Sequence, residues 1–422
     1  LLYDPLYKTD NSFSAVPALA LSAENNGNIC KVTLRDAAFT DGSPVTASDV
    51  VYSCNIAKNT AGAYAASMYE VAAVSAESSK TVVFKLTRRD PYFLNLLTFP
   101  IIKENSDKTT NTDGVTLPPT GCGRFKLSDD GESLIPNTSY YGIHPNISSV
   151  RLINAPDTES DEHFVEIGAT DAYFTDISDG KIVRMSGKKV DINLNNLVYI
   201  GINGSSPLLS SAELRYAISS AIDRQAVCKS SYYDNAVAAT GFFHPAFGDT
   251  SAVQTLQNSA NTQIALENLE KIGYNRLDNE GYRINSSGKR LILTLLVNSE
   301  NASRKAAAEL IAAQLKVIGI ELRIAEKSFD QYSAALSSGG FELYLGEILF
   351  PANMDVSSLV LPGGSAAYGV IDRKAAAAES NGKNGETDEG DTAAENTEPQ
   401  AAALSDIFAA FYAGTNGIKD IA

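Results

Sequence analysis

The sequence predicts an α/β protein with more than one domain. Residues 291–324 contain a strand pattern, a helical pattern and a second strand pattern in succession, which matches a right-handed crossover unit. Residues 31–53 also place a short alternating strand ahead of a capped helix. Because a domain usually holds about 100–200 residues, a chain of 422 residues has room for two or three of them.

The charge balance of the chain is acidic. It carries 34 Lys and Arg against 50 Asp and Glu, a formal net charge of −16. We expect no nucleic-acid partner, because a protein that binds a polyphosphate needs a basic surface to release counterions. No run approaches the roughly 18 apolar residues that cross a bilayer, and the first residues lack the regions of a signal peptide. We therefore expect a soluble chain from which any export signal or anchor has been removed.

Catalytic and metal-binding motifs are missing from the sequence. The three histidines are too far apart to form a zinc motif, and neither a serine-nucleophile elbow nor a phosphate-binding loop is present. The four cysteines show no CxxC spacing, and they could pair in three ways if they paired at all. We interpret them as buried, unpaired thiols. The sequence thus predicts a protein that holds no metal or cofactor and is not an enzyme.

The first elements of the chain mix strands and helices. Residues 31–35 alternate apolar and polar side chains and predict a strand. Thr46 and Asp49 then fit a capping box, in which the hydroxyl accepts an amide while the carboxylate reaches back, so that a helix begins there. Residues 81–86 are rich in β-branched side chains and predict a second strand, and residues 90–94 resemble a helix entry.

A second unit begins in the middle of the chain. Residues 197–203 form a short apolar run that predicts a strand, and Ser211 is placed to cap the helix that follows. That helix carries apolar residues at the spacing of one buried face. Residues 241–245 are aromatic and turn-prone, which suggests a domain junction.

The last part of the chain contains the crossover unit, another apolar run and a segment of different composition. Residues 341–350 predict a strand that ends at Pro351. Residues 371–400 hold eight acidic and three basic residues and no bulky side chain beyond Ile371. This composition predicts a disordered insert, because it cannot bury enough apolar surface to offset chain entropy. The alternative is an acidic tail that binds a partner. An amphipathic helix is expected after Leu404.

One long run of the sequence resembles a known family. Residues 34–53 (LRDAAFTDGSPVTASDVVYS) closely resemble the signature of the family 5 extracellular solute-binding proteins, the peptide and nickel receptors of ABC importers. Residues 120–125 resemble a turn of that family, and residues 202–224 resemble its second strong pattern. These landmarks occur in the family's order and cover nearly the whole chain.

The resemblance implies a two-lobed, periplasmic-binding-protein-like α/β fold of type II with an extra subdomain on lobe one. Lobe one would comprise residues 1–240, with 36–140 forming most of the extra subdomain, and lobe two residues 241–404. Residues 405–422 would form a C-terminal helix whose return segment is missing. The lobes would close on a ligand like a hinged clamp, so that binding shifts a hinge equilibrium.

The resemblance also directs attention to the residues after the strand at 341–350. Peptide receptors of the family place an aspartate there, shortly after a Trp, to pair with the α-amine of the peptide. This chain has no Trp, so Glu347 or Asp355 would have to substitute. Each candidate ligand-binding residue also has a structural alternative, such as a turn, a solvated strand end or core packing; the candidates are Asn203, Phe242, Glu347, Asn353, Asp355, Ser365 and Tyr368.

The expected function is capture of a peptide or another small polar solute for an ABC importer. The expected partners are that ligand and the permease subunits, and the protein would be a monomer at the outer face of a bacterial membrane, lipid-anchored or periplasmic. Two alternatives remain open at this stage. One is a secreted hydrolase that uses Glu347 and Asp355 as paired carboxylates. The other is a receptor-fold signalling or adhesion module without a cognate importer.

Overall fold

The structure is a computed structural model, and it describes residues 1–59, 62, 64–177, 187–239, 241–248 and 260–371. The strands are β1 Tyr7–Thr9, β2 Ala15–Pro17, β3 Ala20–Asn26, β4 Ile29–Leu34, β5 Val71–Ala76, β6 Thr81–Leu86, β7 Phe125–Leu127, β8 Ser133–Pro136, β9 Val150–Arg151, β10 Asn196–Ile202, β11 Arg276–Leu277, β12 Arg283–Ile284, β13 Ile292–Asn298, β14 Glu321–Lys327 and β15 Leu343–Leu349. The α-helices are α1 Ala47–Asn59, α2 Thr158–Glu166, α3 Ala212–Ala221, α4 Arg224–Ser231, α5 Thr262–Lys271, α6 Ala302–Val317, α7 Phe329–Ser338 and α8 Ser357–Val360. Short 3₁₀ helices cover Ala66–Met68, Phe93–Leu96 and Ser106–Lys108.

The first part of the chain is built on an antiparallel sheet with the strand order β3-β4-β6-β5. Alternate residues of β6, Val82, Phe84 and Leu86, are buried, as expected for a strand with one face on a core. We call the apolar cluster on this face the first core, and its buried members include Leu6, Leu19, Val32, Val50, Phe84, Phe93, Phe99 and Ile101.

Helix α1 begins where the capping box predicted it. The carboxylate of Asp49 accepts hydrogen bonds from the Thr46 amide at 2.9 Å and the Thr46 hydroxyl at 2.7 Å. The prediction was wrong in one detail, because the Thr46 hydroxyl donates to Asp49 instead of accepting an amide. The other Asp49 oxygen accepts the Glu104 amide at 2.9 Å, so this carboxylate also ties α1 to a distant loop.

The second sheet contains the predicted crossover unit. Its strand order is β10-β15-β13-β14, in which β13 runs parallel to both β14 and β15 while β10 runs antiparallel to β15. Helix α6 connects β13 to β14, which confirms the strand, helix and strand predicted over 291–324. The carboxyl ends of β13, β14 and β15 therefore share one edge of this sheet, where open α/β sheets usually bind ligands.

Helices α3, α5 and α6 pack on one face of the second sheet and form a second core. Helix α3 buries Leu214, Ala217, Ile218 and Ala221, the face that the apolar spacing predicted. Residues 198–236 thus pack with residues 265–345 and not with the first core. This packing favours a lobe division before residue 196 over the expected one at residue 240, and we propose the earlier boundary.

The segment after β6 differs from its prediction. Residues 90–94 were expected to begin a helix, but the structure forms only the 3₁₀ turn Phe93–Leu96. The carboxylate of Asp90 accepts the Tyr92 amide at 2.8 Å, which is capping geometry without an α-helix to follow. The acidic insert predicted over 371–400, apart from Ile371, and the helix expected after Leu404 lie outside the described residues.

The cysteines are unpaired, as predicted. Cys30, Cys54 and Cys122 are buried, and Cys228 is partly exposed. Burial raises the pKa of the Cys30 and Cys122 thiols to about 12, so both are neutral and unreactive at physiological pH. In the described part of the chain, no helix has the length and apolar character to span a membrane, and no cluster of three His, Cys, Asp or Glu side chains could hold a metal ion.

We expect Leu315→Ala to lower the free energy of unfolding by about 2–5 kcal/mol, because Leu315 on α6 is fully buried and its truncation leaves a cavity. Val317→Ala on the same helix is the matched control, since this side chain is 74% exposed and should change stability by no more than about 0.5 kcal/mol. Urea unfolding followed by circular dichroism measures both. Equal effects of the two substitutions would contradict the assignment of the second core.

Candidate functional site

The two cores meet at an aromatic and aliphatic cluster, which we call the junction cluster. Its buried members are Phe13, Phe243, Phe247, Phe350, Met354, Val356, Leu359 and Val360. Tyr92 from the first part of the chain packs edge-on against Phe247, with ring centroids 5.4 Å apart. Leu197 and Ile348, at the carboxyl edge of the second sheet, also pack against the cluster. The junction therefore joins the first part of the chain to the edge where ligands are expected.

Two residues of the junction cluster have left-handed backbone conformations. Phe13 has φ of 60° and Met354 has φ of 61°, and both side chains are buried. A bulky side chain in this region costs of order 1–3 kcal/mol, and such strain persists only where the surroundings impose it. The packing and hydrogen bonds of the junction must therefore hold the turn around Met354.

Polar side chains beside the junction form a second group, which we call the buried ionic cluster. Its members are Tyr69, Glu70, Arg88, Asp90, Asn353 and Asp355. Arg88 donates from Nε to Glu70 at 2.6 Å and from Nη2 to Asp355 at 2.7 Å. Glu70 is fully buried, and the side chain of Asp355 is 7% exposed. One guanidinium thus bridges two carboxylates that are 285 positions apart.

The carboxylate of Asp355 is fully engaged within the structure. It accepts hydrogen bonds from Arg88, from the Tyr69 hydroxyl and from the Ser357 amide, the last at 2.9 Å. Burial alone would raise the pKa of Asp355, but the donors of Ser357, Tyr69 and Arg88 outweigh it and hold the pKa below its usual value. Asp355 is therefore ionised at neutral pH, and an added cation would have to displace Arg88.

Asp90 differs from Asp355 because its nearest charged neighbour is another acid. Burial and the hydrogen-bonding contact with Glu70 raise the pKa of Asp90 to about 7. Its carboxylate also accepts the Asn353 amide at 2.9 Å. Glu70 Oε2 is a buried atom that receives no hydrogen bond from the described residues. A neutral Asp90 carboxyl would supply that donor, which explains why two acids are tolerated side by side.

Asparagine side chains complete the polar contacts of the junction. Asn95 donates to the carbonyl groups of Phe13 and Ala352 at 2.8 and 2.9 Å, so it bridges the two strained turns. Asn195 donates to the Pro351 carbonyl at 3.2 Å. These amides fix the backbone that leads into Met354.

Glu347 lies apart from the ionic cluster, on the second sheet. It faces the helices, because it pairs in register with Val198, a residue that packs against the second core. Its oxygens accept Asn196 Nδ2 at 2.8 Å and the guanidinium of Arg304 from α6. The carboxylate is therefore paired, and it does not form a pair with Asp355.

Asn203 and Tyr368 lie at the other end of the second sheet. Ile202 pairs with Leu343, whereas Asn196 pairs with Leu349, so the two ends of β10 are about 20 Å apart at 3.3 Å per residue. The Asn203 amide donates to the Gly339 and Phe341 carbonyl groups at 3.2 and 2.9 Å. Tyr368 packs edge-on against Tyr344. These contacts favour structural roles for both residues.

Phe242 and Ser365 flank the junction cluster. Phe242 is partly buried and packs against the cluster, whereas Ser365 is exposed in the turn after α8. Of the seven candidate residues, the structure thus brings Phe242, Asn353 and Asp355 together and leaves Glu347 at the adjacent sheet edge. Their roles in ligand binding stay predictions.

Sequence reasoning did not single out Arg88, Glu70 or Arg304. Arg88 belongs to a dense charged run, Arg88-Arg89-Asp90, at the end of a buried strand, which is a signal that could have been used. Glu70 and Arg304 carry no such signal, because their importance depends on partners far away in sequence.

Comparison with known families gives one match that covers most of the chain. The family described as "Bacterial extracellular solute-binding proteins, family 5 Middle" matches residues 14–368. The oligopeptide-binding protein AppA of Bacillus subtilis is 25% identical over 350 residues, which is 76% of this chain. The chain spans 63% of the length of that relative.

Solved structures share the fold. The murein tripeptide-binding protein MppA in its unliganded open form superposes with a TM-score of 0.70 at 20% identity, covering 89% of this chain and 78% of that protein. A peptide-binding protein AppA from Clostridium difficile gives a TM-score of 0.65 at 20% identity, covering 90% and 81%. The two-lobed α/β fold predicted from the signature run is thereby confirmed.

Arg88→Ala should lower the free energy of unfolding by about 3–5 kcal/mol, because it leaves the buried carboxylates of Glu70 and Asp355 without a cation. Lys85→Ala is the control, because Lys85 is an exposed basic residue on β6, three positions before Arg88. It should change stability by less than about 0.5 kcal/mol. Chemical denaturation at neutral pH compares the two. A cost below about 1 kcal/mol for Arg88→Ala would contradict the role of the guanidinium.

A second prediction concerns Asp90 and the pH dependence of folding stability. Because its pKa is raised in the folded protein to about 7, folding takes up a proton, and the Asp90 contribution to stability falls as pH rises from about 4 to 7. The depressed pKa of Asp355 acts in the opposite direction and in another window, since its contribution is lost only below about pH 4.

The amide of the Asp90→Asn variant resembles the neutral carboxyl, so its free energy of unfolding should rise relative to that of the wild type as the pH is raised from 5 to 8. This difference in free energy should change by up to about 1.4 kcal/mol per pH unit and not more. Urea midpoints at several pH values measure this, with the exposed Asp113→Asn as a control whose difference stays flat. A flat difference for Asp90→Asn would show that this carboxyl titrates normally.

Proposed function

The chain belongs to the bacterial extracellular solute-binding proteins of family 5, and from this membership we propose that it is the substrate-binding component of an ABC importer. It captures a peptide or another small polar solute between two hinged lobes and delivers it to a membrane permease. The names of its relatives, which include an oligopeptide-binding protein and a murein peptide-binding protein, support a peptide as the solute.

The observation that carries this proposal is the contact between the two cores. Residues that are more than 250 positions apart meet there through a handful of polar side chains, such as Arg88 with Asp355 and Asn95 with the Ala352 carbonyl. We infer that the two cores turn about this junction, as a hinged clamp requires. A ligand that contacts both sides would then shift the equilibrium toward the closed form.

The proposed ligand surface consists of the junction and the neighbouring carboxyl edge of the second sheet. Phe242 supplies apolar area at low ordering cost, while Asn353 and Asp355 supply polar groups from the turn after β15. Glu347 lies at the sheet edge itself. Asn203, Ser365 and Tyr368 complete the proposed set as the polar strand end, the turn and the aromatic side chain that the sequence offers, although Asn203 and Tyr368 lie at the other end of the second sheet.

The first alternative, a hydrolase with paired carboxylates, receives no support from the geometry of the two acids. Glu347 is paired with Arg304, and Asp355 is paired with Arg88. A general acid needs a carboxyl group that holds its proton near the working pH, and the pKa of Asp355 is depressed. The family is a class of substrate-binding proteins and not of enzymes.

The second alternative keeps the receptor fold without an importer. A permease gene and an ATPase gene beside the gene for this chain would favour the importer. We further propose that the protein acts as a monomer on the outer face of a bacterial membrane, periplasmic or held by a lipid anchor.

Isothermal titration calorimetry with defined mixtures of short peptides, and in parallel with a nickel chelate, tests capture directly. We expect saturable binding of at least one class, together with a smaller radius of gyration in small-angle X-ray scattering when that ligand is added. The recovered ligand should have an unchanged mass. Binding without compaction would contradict the clamp, and a cleaved ligand would revive the hydrolase.

A further inference from the structure

The buried ionic cluster holds more acid than base. Three acids, Glu70, Asp90 and Asp355, lie around the guanidinium of Arg88, and they are 0%, 2% and 8% exposed. If all three were ionised, three negative charges would share one positive charge away from water, which is strongly unfavourable. The cluster therefore needs a further positive charge or a proton. Glu70 and Asp90 are in hydrogen-bonding contact, and we call them the carboxyl pair.

The neighbouring elements bring mostly neutral groups to the carboxyl pair. The described side chains that face it are Tyr69, Arg88, Asn25 of β3, Cys30 of β4, and Asn353 and Asp355 of the turn after β15. The Cys30 thiol keeps its hydrogen because burial raises its pKa to about 12, and burial also raises the pKa of Tyr69. Arg88 supplies the positive charge of this set, and Asp355 takes part of it. Within this set, a proton on one of the two acids is left to balance the pair.

The hydrogen bonds of the carboxyl pair indicate where that proton fits. Glu70 Oε1 accepts Arg88 Nε at 2.6 Å, whereas Oε2 is buried and receives no hydrogen bond from the described residues. Burial and this acidic neighbour raise the pKa of Asp90 to about 7. A carboxyl group that keeps its hydrogen can donate it to a carboxylate, whereas two carboxylates offer acceptors alone. One proton thus satisfies the buried oxygen of Glu70 and removes one charge.

The carboxyl pair also lies where two distant parts of the chain meet. The pair and Arg88 belong to the first part, whereas residues 353–357 form the turn that follows β15. Asn353 Nδ2 donates to the Asp90 carboxyl at 2.9 Å, and Asp355 accepts Arg88 Nη2 at 2.7 Å. The turn is therefore attached to the first part of the chain through the ionic cluster itself, and its attachment depends on the charge of the cluster.

We propose that the carboxyl pair shares one proton, and that this proton fastens the turn of residues 353–357 to the first part of the chain and so regulates solute capture by pH. Loss of the proton creates a second carboxylate that competes with Asp355 for Arg88 and needs water, which reaches the pair when the turn moves away. The acid releases its proton more readily in that hydrated state, so low pH favours the fastened turn and high pH the loosened one. This regulation rests on the proposed function, because Asn353 and Asp355 belong to the proposed ligand surface.

Calorimetry at pH 6 and pH 8, with a peptide that the protein captures, tests the regulation. Asp90→Asn carries a hydrogen at this place at every pH, and the exposed Asp113→Asn is the control. We expect the dissociation constant to rise between the two pH values severalfold more in the wild type and in Asp113→Asn than in Asp90→Asn. The excess should not pass about tenfold, the limit for one proton over this interval. Titration of the peptide itself is common to all three proteins. An equal rise in the wild type and in Asp90→Asn would overturn the proposal while leaving solute capture intact.

Amide hydrogen exchange follows the turn without any solute. The Ser357 amide donates to Asp355 at 2.9 Å and therefore reports whether the turn is fastened. Its protection factor, corrected for the intrinsic exchange rate, should fall by about tenfold between pH 6 and pH 8 in the wild type and stay constant in Asp90→Asn. The amide of the buried Leu315 on α6 is the reference for global unfolding and should exchange far more slowly. Equal protection of Ser357 and Leu315 would mean that the turn opens only when the protein unfolds, which would overturn the proposal.

The shared proton itself is followed by NMR of the side-chain carboxyl carbons in protein labelled with ¹³C-aspartate. The Asp90 signal is identified by its loss in Asp90→Asn or, if that variant does not fold, by triple-resonance assignment of the wild type. It should titrate near neutral pH, while the exposed Asp113 titrates at about pH 4. Glu70→Gln removes the neighbouring charge and should lower the Asp90 midpoint by about one pH unit or more. A wild-type Asp90 midpoint like that of Asp113, or one that Glu70→Gln leaves unchanged, would overturn the shared proton even if no peptide binds.

Discussion

The arrangement of this molecule depends on the need to keep buried carboxylates neutralised. Glu70 is fully buried and Asp355 nearly so, and both rely on the guanidinium of Arg88. An uncompensated charge in the interior would be severely destabilising, so the turn after β15 has to approach the end of β6 closely enough to share one cation. The left-handed backbone of Met354 is a consequence, since it directs Asn353 and Asp355 toward the same cluster.

Two arginine–carboxylate pairs lie near the proposed cleft, and they differ in the hydrogen bonds that surround them. Arg88 is saturated by the protein's own acceptors, and Asp355 receives three donors. Arg304 pairs with Glu347, whose other oxygen accepts the Asn196 amide. The first pair therefore links two distant parts of the chain, whereas the second links α6 to β15. The same two residue types thus serve different purposes because of hydrogen bonds that only the folded chain defines.

Local patterns predicted the secondary structure well where the signal lay within a few residues. The Thr46 and Asp49 box, the alternating strand β6 and the buried face of α3 are examples, because capping and periodicity depend on neighbours along the chain. The prediction failed at residues 90–94, where Asp90 was recruited by Glu70 and Asn353 and the chain formed a 3₁₀ turn. The earlier lobe boundary that we propose has a similar basis, since the place of residues 196–236 depends on β10 pairing with β15.

The sequence by itself determined the start of α1, the buried face of α3, the crossover unit, the family to which the chain belongs and the absence of familiar catalytic motifs, since these are properties of residue types at short spacing. It also pointed to the stretch from Glu347 to Asp355 as a region of interest. Only the tertiary structure decided which cation each of those acids meets and why the pKa of Asp90 is raised while that of Asp355 is lowered. The reason is physical: burial and charge pairing are set by residues hundreds of positions apart, and a one-dimensional pattern does not contain those distances.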